Sequence, residues 1–325
     1  MSGLIPASGA LIIGLIGLVW GADRFIIAAA SSAKKLGISP IVIGLTIVAF
    51  GTSAPEVIVS VNAALQDAGE LAIGNALGSN LANIGLVLGI TALVAPMPAQ
   101  RHLVSQEGPA LILVTILTGL CLYNARLGRA ESILMLLVLP LLLWATIKYK
   151  KAHPDQEEKE FTEEIIEVST RAAIVGFLVG LITMLLASRV LVWGAKIVAF
   201  ELGMSELVIG LTVLAIGTSL PELAASVAGA LRGHHDIAIG NVFGSNMFNF
   251  LLVMPIAGVI SPLQLEPMVF FRDYLAVCLF TIALVGTIAF KYRRNCIETA
   301  YLSRRFGLIM IATYFTYFII LVPTS

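Results

Sequence analysis

Residues 44–56 read GLTIVAFGTSAPE and residues 210–222 read GLTVLAIGTSLPE, with nine of thirteen positions identical. A little further on, residues 72–80 read AIGNALGSN and residues 238–246 read AIGNVFGSN, with seven of nine identical. Both matches share one offset, 166 residues, and no gap separates them. The chain is an internal duplication, and each copy carries the same Gly-Thr-Ser-x-Pro-Glu followed by Ile-Gly-Asn-x-x-Gly-Ser-Asn.

Each copy lies in long apolar sequence. Of 325 residues 58% are hydrophobic and 12% charged, and the mean hydropathy is +0.96. A soluble domain carries about 25% charged residues, so a soluble globule and a disordered chain are both excluded. Lys+Arg and Asp+Glu are twenty each, which gives no footprint for nucleic acid. Cys121, Cys278 and Cys296 form no C-x-x-C pair, so neither a disulfide framework nor a zinc site is expected. Between charged and turn-rich breaks lie ten apolar segments: 4–29, 38–65, 71–95, 107–125, 131–148, 172–199, 206–230, 237–260, 269–290 and 306–322. Their length suits a bilayer span of about 20 residues, and unbroken rather than alternating apolarity points to helices, not a β-barrel. No basic residues precede the first segment, so it is expected to be an uncleaved span rather than a signal peptide.

Basic residues orient the bundle. With the N-terminus outside, fourteen of the twenty fall in inner loops, among them Lys34, Lys35, Arg101, Lys150, Arg232, Lys291 and Arg304. Arg126, Arg129 and Arg272 fall outside, and Arg24, Arg189 and Lys196 lie within segments. Both termini are therefore expected to be periplasmic, in a multi-pass protein of the cell inner membrane. The first repeat lies on segments 2 and 3 and the second on segments 7 and 8, so five crossings separate equivalent positions and the second copy runs the opposite way. The expected fold is an all-α integral membrane protein of ten helices, built as two inverted five-helix repeats: residues 1–148, a cytoplasmic linker at 149–170, and residues 171–325. Inverted repeats with Gly/Pro-interrupted helices mark secondary transporters, with the site at the repeat interface near mid-membrane.

The acids locate that site. Of twenty Asp and Glu, only Glu56 and Glu222 fall well inside a segment; the other eighteen fall in loops or near segment ends. A carboxylate at the bilayer centre costs about 3 kcal/mol or more, and these two occupy equivalent repeat positions. Each follows a proline, Pro55 or Pro221, which removes an N–H and frees the carbonyl four residues back, on Gly51 or Gly217. Helical spacing brings Thr52 and Ser53 to the side of Glu56, and Thr218 and Ser219 to the side of Glu222. On the following segments Asn75, Ser79 and Asn83, and again Asn241, Ser245 and Asn249, recur at four-residue steps along one face. Ser79, Asn83, Ser245 and Asn249 are candidate ligands. Asn75, Asn80, Asn241 and Asn246 are expected to support them, and Gly74/Gly78 and Gly240/Gly244 to form packing faces. A donor set made only of oxygen suits Ca²⁺ or Na⁺ and not zinc or copper. Two carboxylates balance one Ca²⁺ or two Na⁺, and shared ligands make the two occupancies exclusive, as antiport requires.

GTSAPE and GTSLPE, each followed by IGNxxGSN, resemble the two α repeats of the sodium/calcium exchangers, within the calcium/cation antiporter superfamily. The resemblance implies a core of helices 2, 3, 7 and 8, and ion ligands at Thr52, Ser53, Glu56, Ser79 and Asn83 and at Thr218, Ser219, Glu222, Ser245 and Asn249. It adds the backbone carbonyls of Ala49 and Ala215. It also implies alternating access, with segments 1 and 6 sliding across the core while Na⁺ entry drives Ca²⁺ outward. Some relatives carry an acid where Asn249 stands, so the formal charge here is −2 rather than −3. Exchange of Ca²⁺ against H⁺, dependence on K⁺, and a passive cation channel stay open as alternatives. Membrane lipid and the transported ions are the expected partners, with no cofactor and no obligate protein partner.

An intramembrane protease is not expected, because Asp23, Asp67, Asp155, Asp236 and Asp273 and His102, His153, His234 and His235 all read as lying in loops or near segment ends. Asp23 and Arg24 are expected to pair locally or snorkel, as are Arg189 and Lys196. His234 and His235 are expected in a solvated turn. The stretch from Tyr149 to Thr170 is expected to be a solvated linker or short surface helix, too short for a calcium-sensing module. Trp20 and Trp193 both precede Gly-Ala at an offset of 173 rather than 166. Segment 6 should therefore be shorter than segment 1 at its far end.

Overall fold

A computed structural model describes residues 4–152, 168–202, 215–295 and 300–321. The structure is helical because a backbone in lipid must satisfy its own N–H and C=O groups. In chain order the helices are α1 (Leu4–Leu36), α2 (Pro40–Thr52), α3 (Ala54–Leu65), α4 (Gly69–Val94), α5 (Leu103–Leu122), α6 (Arg129–Lys150), α7 (Thr170–Glu201), α8 (Ala215–Thr218), α9 (Leu220–Leu231), α10 (His235–Ile260), α11 (Val269–Arg293) and α12 (Arg304–Leu321). Among the described residues seven are long and apolar enough to cross a membrane, or eight if the bent pair α2–α3 is one span. Segment 206–230 is described only from residue 215 onward.

The bundle is layered. α4 and α10 are each 78% buried along their apolar stretch, whereas α1, α6 and α7 are 28%, 17% and 22% buried and turn most of their surface outward. Small residues let the central helices touch backbone to backbone. A methyl group added at Gly240 would sit 2.8 Å from the Ile41 carbonyl oxygen, and one at Gly44 would sit 2.7 Å from that of Ile237. The Gly240/Gly244 face of α10 therefore seats on α2, as the spacing predicts, whereas a methyl group at Gly74 or Gly78 would meet nothing within 4 Å, so the packing face expected there on α4 is not formed. α1 and α7 form a second pair, with Gly21 and Gly180 at their contact and Phe25 and Phe177 ring to ring at 4.7 Å.

Two small antiparallel ribbons cap the bundle, and both cross between the halves of the chain. β1 (Met97–Ala99) pairs with β4 (Ala300–Leu302), and β2 (Arg126–Leu127) pairs with β3 (Leu263–Gln264). The turns after α3 and α9 match as well. Asp67 and Gly233, 166 residues apart, both take positive φ, at 56° and 83°.

α7 runs eight residues beyond Trp193 and α1 sixteen beyond Trp20, so the second copy is shorter at the expected end. Other expectations are corrected. α5 begins at Leu103 with a π-helical turn, not at residue 107, so Glu107 lies a full turn inside the helix and is only 2% exposed. It belongs neither to a loop nor to an exposed end. His102 is buried beside it, and His234, expected in a solvated turn, is only 4% exposed. α6 runs to Lys150, so Tyr149 and Lys150 belong to it and not to a solvated linker; residues 153–167 lie outside the described set. Asp23 pairs not with Arg24 but with Arg232, at the end of α9 in the other half of the chain. Arg24 instead lies over the ring of Trp20.

Candidate functional site

Each repeat breaks its helix at the serine of Gly-Thr-Ser. Ser53 has φ −80° and ψ 7°, and Ser219 has φ −86° and ψ 5°. Pro55 and Pro221 stand in the first turn of α3 and α9, where a missing N–H costs nothing and φ is already helical. The axis bends by 46° between α2 and α3. The freed carbonyls find donors close by. That of Gly217 accepts from the Ser188 hydroxyl of α7 at 3.4 Å, and that of Gly51 from the Ser53 N–H. The Ala49 carbonyl accepts from the Ser53 N–H at 3.0 Å and from the Thr52 hydroxyl at 3.3 Å. The Ala215 side chain is outside the described set.

Glu56 and Glu222 fall in the first turn after each break and are each 1% exposed. The repeats serve each other's carboxylate. Ser53 donates to Glu222 Oε1 at 3.1 Å, across the halves of the chain. Thr218 approaches Glu56 and Thr52 approaches Glu222. Ser79, on α4, donates to Glu56 Oε1 at 3.4 Å. Asn75 donates to the Glu56 backbone carbonyl at 3.4 Å, and its repeat equivalent Asn241 to that of Glu222 at 3.2 Å. Asn241 also donates to Ser226 and accepts from the Thr52 hydroxyl at 3.1 Å. It thereby ties α2, α9 and α10 together. Asn249 donates to Asn80 Oδ1 at 3.0 Å, and Asn246 to the Val242 carbonyl. Both α4 and α10 pass into a π-helical turn at the carboxamide itself, over Asn83–Val87 and Asn249–Val253. Such turns recur at functional sites because they re-aim side chains.

After this pairing a set of buried oxygens is left over. Glu56 Oε2, Glu222 Oε2, Asn83 Oδ1, Asn249 Oδ1, Ser219 Oγ and Ser245 Oγ have no hydrogen-bond partner. Orphaned buried oxygens are costly in a protein interior, and a hard cation is the group that satisfies several of them at once. Among the described residues no group of three His, Cys, Asp or Glu forms a metal cluster. The chemistry here rests on two carboxylates and neutral oxygens. Thr52, Ser53, Ser79, Asn83, Ser219, Ser245 and Asn249 are all buried within this region, and Thr218 is half-buried.

A third buried glutamate lies outside the sequence-derived set. Glu107 takes His102 Nδ1 at 2.9 Å and Lys150 Nζ at 3.3 Å. The His102 Nε2 meets Gln100 Oε1 at 3.0 Å, and the Gln100 amide donates to Asp236 at 3.1 Å. This polar chain links α5, the end of α6 and the start of α10. Its residues come from three separate stretches, and no periodicity joins them.

Helices broken at proline, packed across one another inside an apolar bundle and offering paired carboxylates at the break, make the architecture of a membrane transporter for cations. The family model described as sodium/calcium exchanger protein matches residues 7–148 and 172–322. This chain belongs to the sodium/calcium exchanger family. Inner membrane protein YrbG of Escherichia coli K12 is 39% identical over 284 residues, covering 86% of this chain and 87% of that protein. Sodium/calcium exchanger MaX1 of Methanosarcina acetivorans is 31% identical over 312 residues, covering 85% and 89%. A solved structure of the sodium-calcium exchanger NCX_Mj, soaked with zero Na⁺ and Ca²⁺, superimposes with a TM-score of 0.82 at 28% identity, covering 98% of this chain and 99% of that one.

Proposed function

We propose that this protein exchanges Ca²⁺ for Na⁺ across the membrane by alternating access, at an all-oxygen site centred on Glu56 and Glu222. One contrast carries the reading. Among the described residues three glutamates are buried; Glu107 has two basic partners, whereas Glu56 and Glu222 have none. Two buried carboxylates without a cation are expensive, and a transported ion supplies the missing charge. The ligands are Thr52, Ser53, Glu56, Ser79 and Asn83 with Thr218, Ser219, Glu222, Ser245 and Asn249, joined by the carbonyls of Ala49 and Ala215. Ca²⁺ takes six to eight oxygens in flexible geometry, which a set of this size can offer. With Asn83 and Asn249 neutral, one Ca²⁺ or two Na⁺ balance the site. Since both ions need the same two carboxylates, binding of one expels the other. The exchanger names borne by MaX1 and NCX_Mj support the assignment of the ions.

The same reading takes the chain as ten membrane crossings in two inverted halves, residues 1–148 and 171–325, joined by a cytoplasmic linker between α6 and α7. The family match divides the chain at the same place. The crossed ribbons support the crossing number. β1 follows the third crossing and β4 the ninth, while β2 follows the fourth and β3 the eighth. Each pair can meet only if an even number of crossings lies between its strands, and ten crossings satisfy both. The pair α1 and α7, glycine-packed and mostly lipid-facing, is the element that slides across the fixed core. The charge distribution supports both termini outside, and the likeness to YrbG supports the bacterial inner membrane.

Reconstitution in Ca²⁺-loaded liposomes tests this. Ca²⁺ efflux is expected to follow an imposed inward Na⁺ gradient and to stop in Glu56→Gln and Glu222→Gln. Efflux that proceeds equally with no countercation, or that follows H⁺ or K⁺ instead of Na⁺, overturns the exchange assignment. Normal efflux in both variants overturns the site.

A further inference from the structure

We propose that the groove between one face of α11 and β4 binds a single anionic phospholipid, its acyl chain along α11 and its headgroup on the basic rim. The groove has a volume of about 740 Å³, within the range of about 300–1,000 Å³ common to ligand sites. Its floor is a single helical face, with Ile282, Gly286 and Phe290 at four-residue steps, so it runs along the helix axis as an acyl chain does. Gly286 makes the notch: a methyl group built there would meet nothing within 4 Å.

Apart from Thr287 on the floor, the polar lining gathers at one end. There the groove is closed by Lys291, Tyr301 and Ser303. The Lys291 ammonium donates to the Tyr301 carbonyl at 2.7 Å, which fixes it at the rim and leaves two of its three N–H groups to be used. Arg293, Arg304 and Arg305 are exposed nearby in sequence, and among the described residues no carboxylate pairs with any of these four cations. An apolar channel ending in positive charge that no described carboxylate pairs with is complementary to an amphiphile with a negative head. A second copy docked through the same face would bring four more cations onto these, so like-charge repulsion opposes it. A soluble phosphate would leave the apolar floor unused. Basic pockets at the ends of membrane helices bind anionic headgroups by this logic, with each Lys or Arg contributing about fivefold in affinity. The proposal is independent of which ions the protein exchanges, because it concerns binding alone.

The test uses the full chain in nanodiscs holding phosphatidylglycerol and phosphatidylcholine of identical acyl chains, with retained lipid read by native mass spectrometry. Phosphatidylglycerol is expected to be retained over phosphatidylcholine. The variant Lys291→Gln/Arg304→Gln/Arg305→Gln should lower its apparent affinity about 100-fold. Gly286→Trp should displace it with the charges intact, and Gly286→Leu serves if the larger residue impairs folding. Equal retention of the two lipids, or retention unchanged in both kinds of variant, overturns the proposal. Competition by glycerol phosphate as effective as by phosphatidylglycerol would mean a site for free anions. A doubled mass lost on Gly286→Trp would mean a second copy occupies the groove; either outcome overturns it as well.

Discussion

Replacing Glu107 by Gln should destabilise the protein without touching ion exchange. The substitution keeps the shape of a side chain that is only 2% exposed. It removes the negative charge that faces Lys150 Nζ at 3.3 Å and His102 Nδ1 at 2.9 Å. The Lys150 side chain is itself only 6% exposed, so its ammonium would lose a buried counter-charge with little water to replace it. Breaking a buried pair from one side costs about 3–5 kcal/mol. Removing both charges together, as Glu107→Gln/Lys150→Met, should cost less than the two single changes added, because each single change already removes the interaction the two share. Thermal unfolding in detergent, followed by intrinsic fluorescence for the four proteins of this cycle, measures the coupling. The reasoning is refuted if Glu107→Gln unfolds at the wild-type temperature, or if the cycle is additive to within about 0.5 kcal/mol. Exchange in liposomes, normalised to folded protein, should be unaltered, which separates this glutamate from Glu56 and Glu222.

Three further outcomes follow from the geometry. Glu56→Gln and Glu222→Gln should each lower Ca²⁺ affinity by about 100-fold or more, since each halves the charge of a site with no other anion; isothermal titration with Ca²⁺ reads this directly. If α1 slides over the core as proposed, Asp23→Asn should shift the balance between inward- and outward-open forms by about fivefold, because the pair it forms with Arg232 joins α1 to the end of α9 and is part-exposed, worth about 1 kcal/mol. Accessibility of single cysteines from the two sides of the membrane measures that shift, and restoration by the swap Asp23→Arg/Arg232→Asp distinguishes pairing from packing. Gly244→Val should cost at least about 1–3 kcal/mol, because even a methyl group there would lie 2.6 Å from Ala49 Cβ and 2.8 Å from Leu45 Cα; a lowered unfolding temperature is the expected reading.

Much of this molecule was legible before any coordinates. The 166-residue repeat announced two equivalent breaks, and Ser53 and Ser219 take nearly the same backbone angles. Burial of Glu56 and Glu222 followed from their position in apolar sequence, and the supporting role read for Asn75 and Asn241 matches their bonds to the glutamate carbonyls. The polar chain from Asp236 to Lys150 was not legible. Glu107 stands at a charged margin in the sequence, and only the early start of α5 carries it inside. His102 and His234 look like loop residues because a one-dimensional reading cannot tell a turn that faces water from one covered by a neighbouring helix. The Asp23–Arg232 pair was hidden for a related reason. Its partners are 209 residues apart, and Arg24 next door offered a simpler partner that instead lies over Trp20.

The crossed ribbons also set an order of assembly in time. During synthesis at about 5–20 residues per second, β3 emerges some 140 residues after β2, a delay of about 7–28 s. β4 emerges about 200 residues after β1, a delay of about 10–40 s. The face carrying β2 and β3 can therefore close while the last helix is still being made. The face carrying β1 must wait open until nearly the whole chain has left the ribosome, so neither half can finish its own edges while the other is missing.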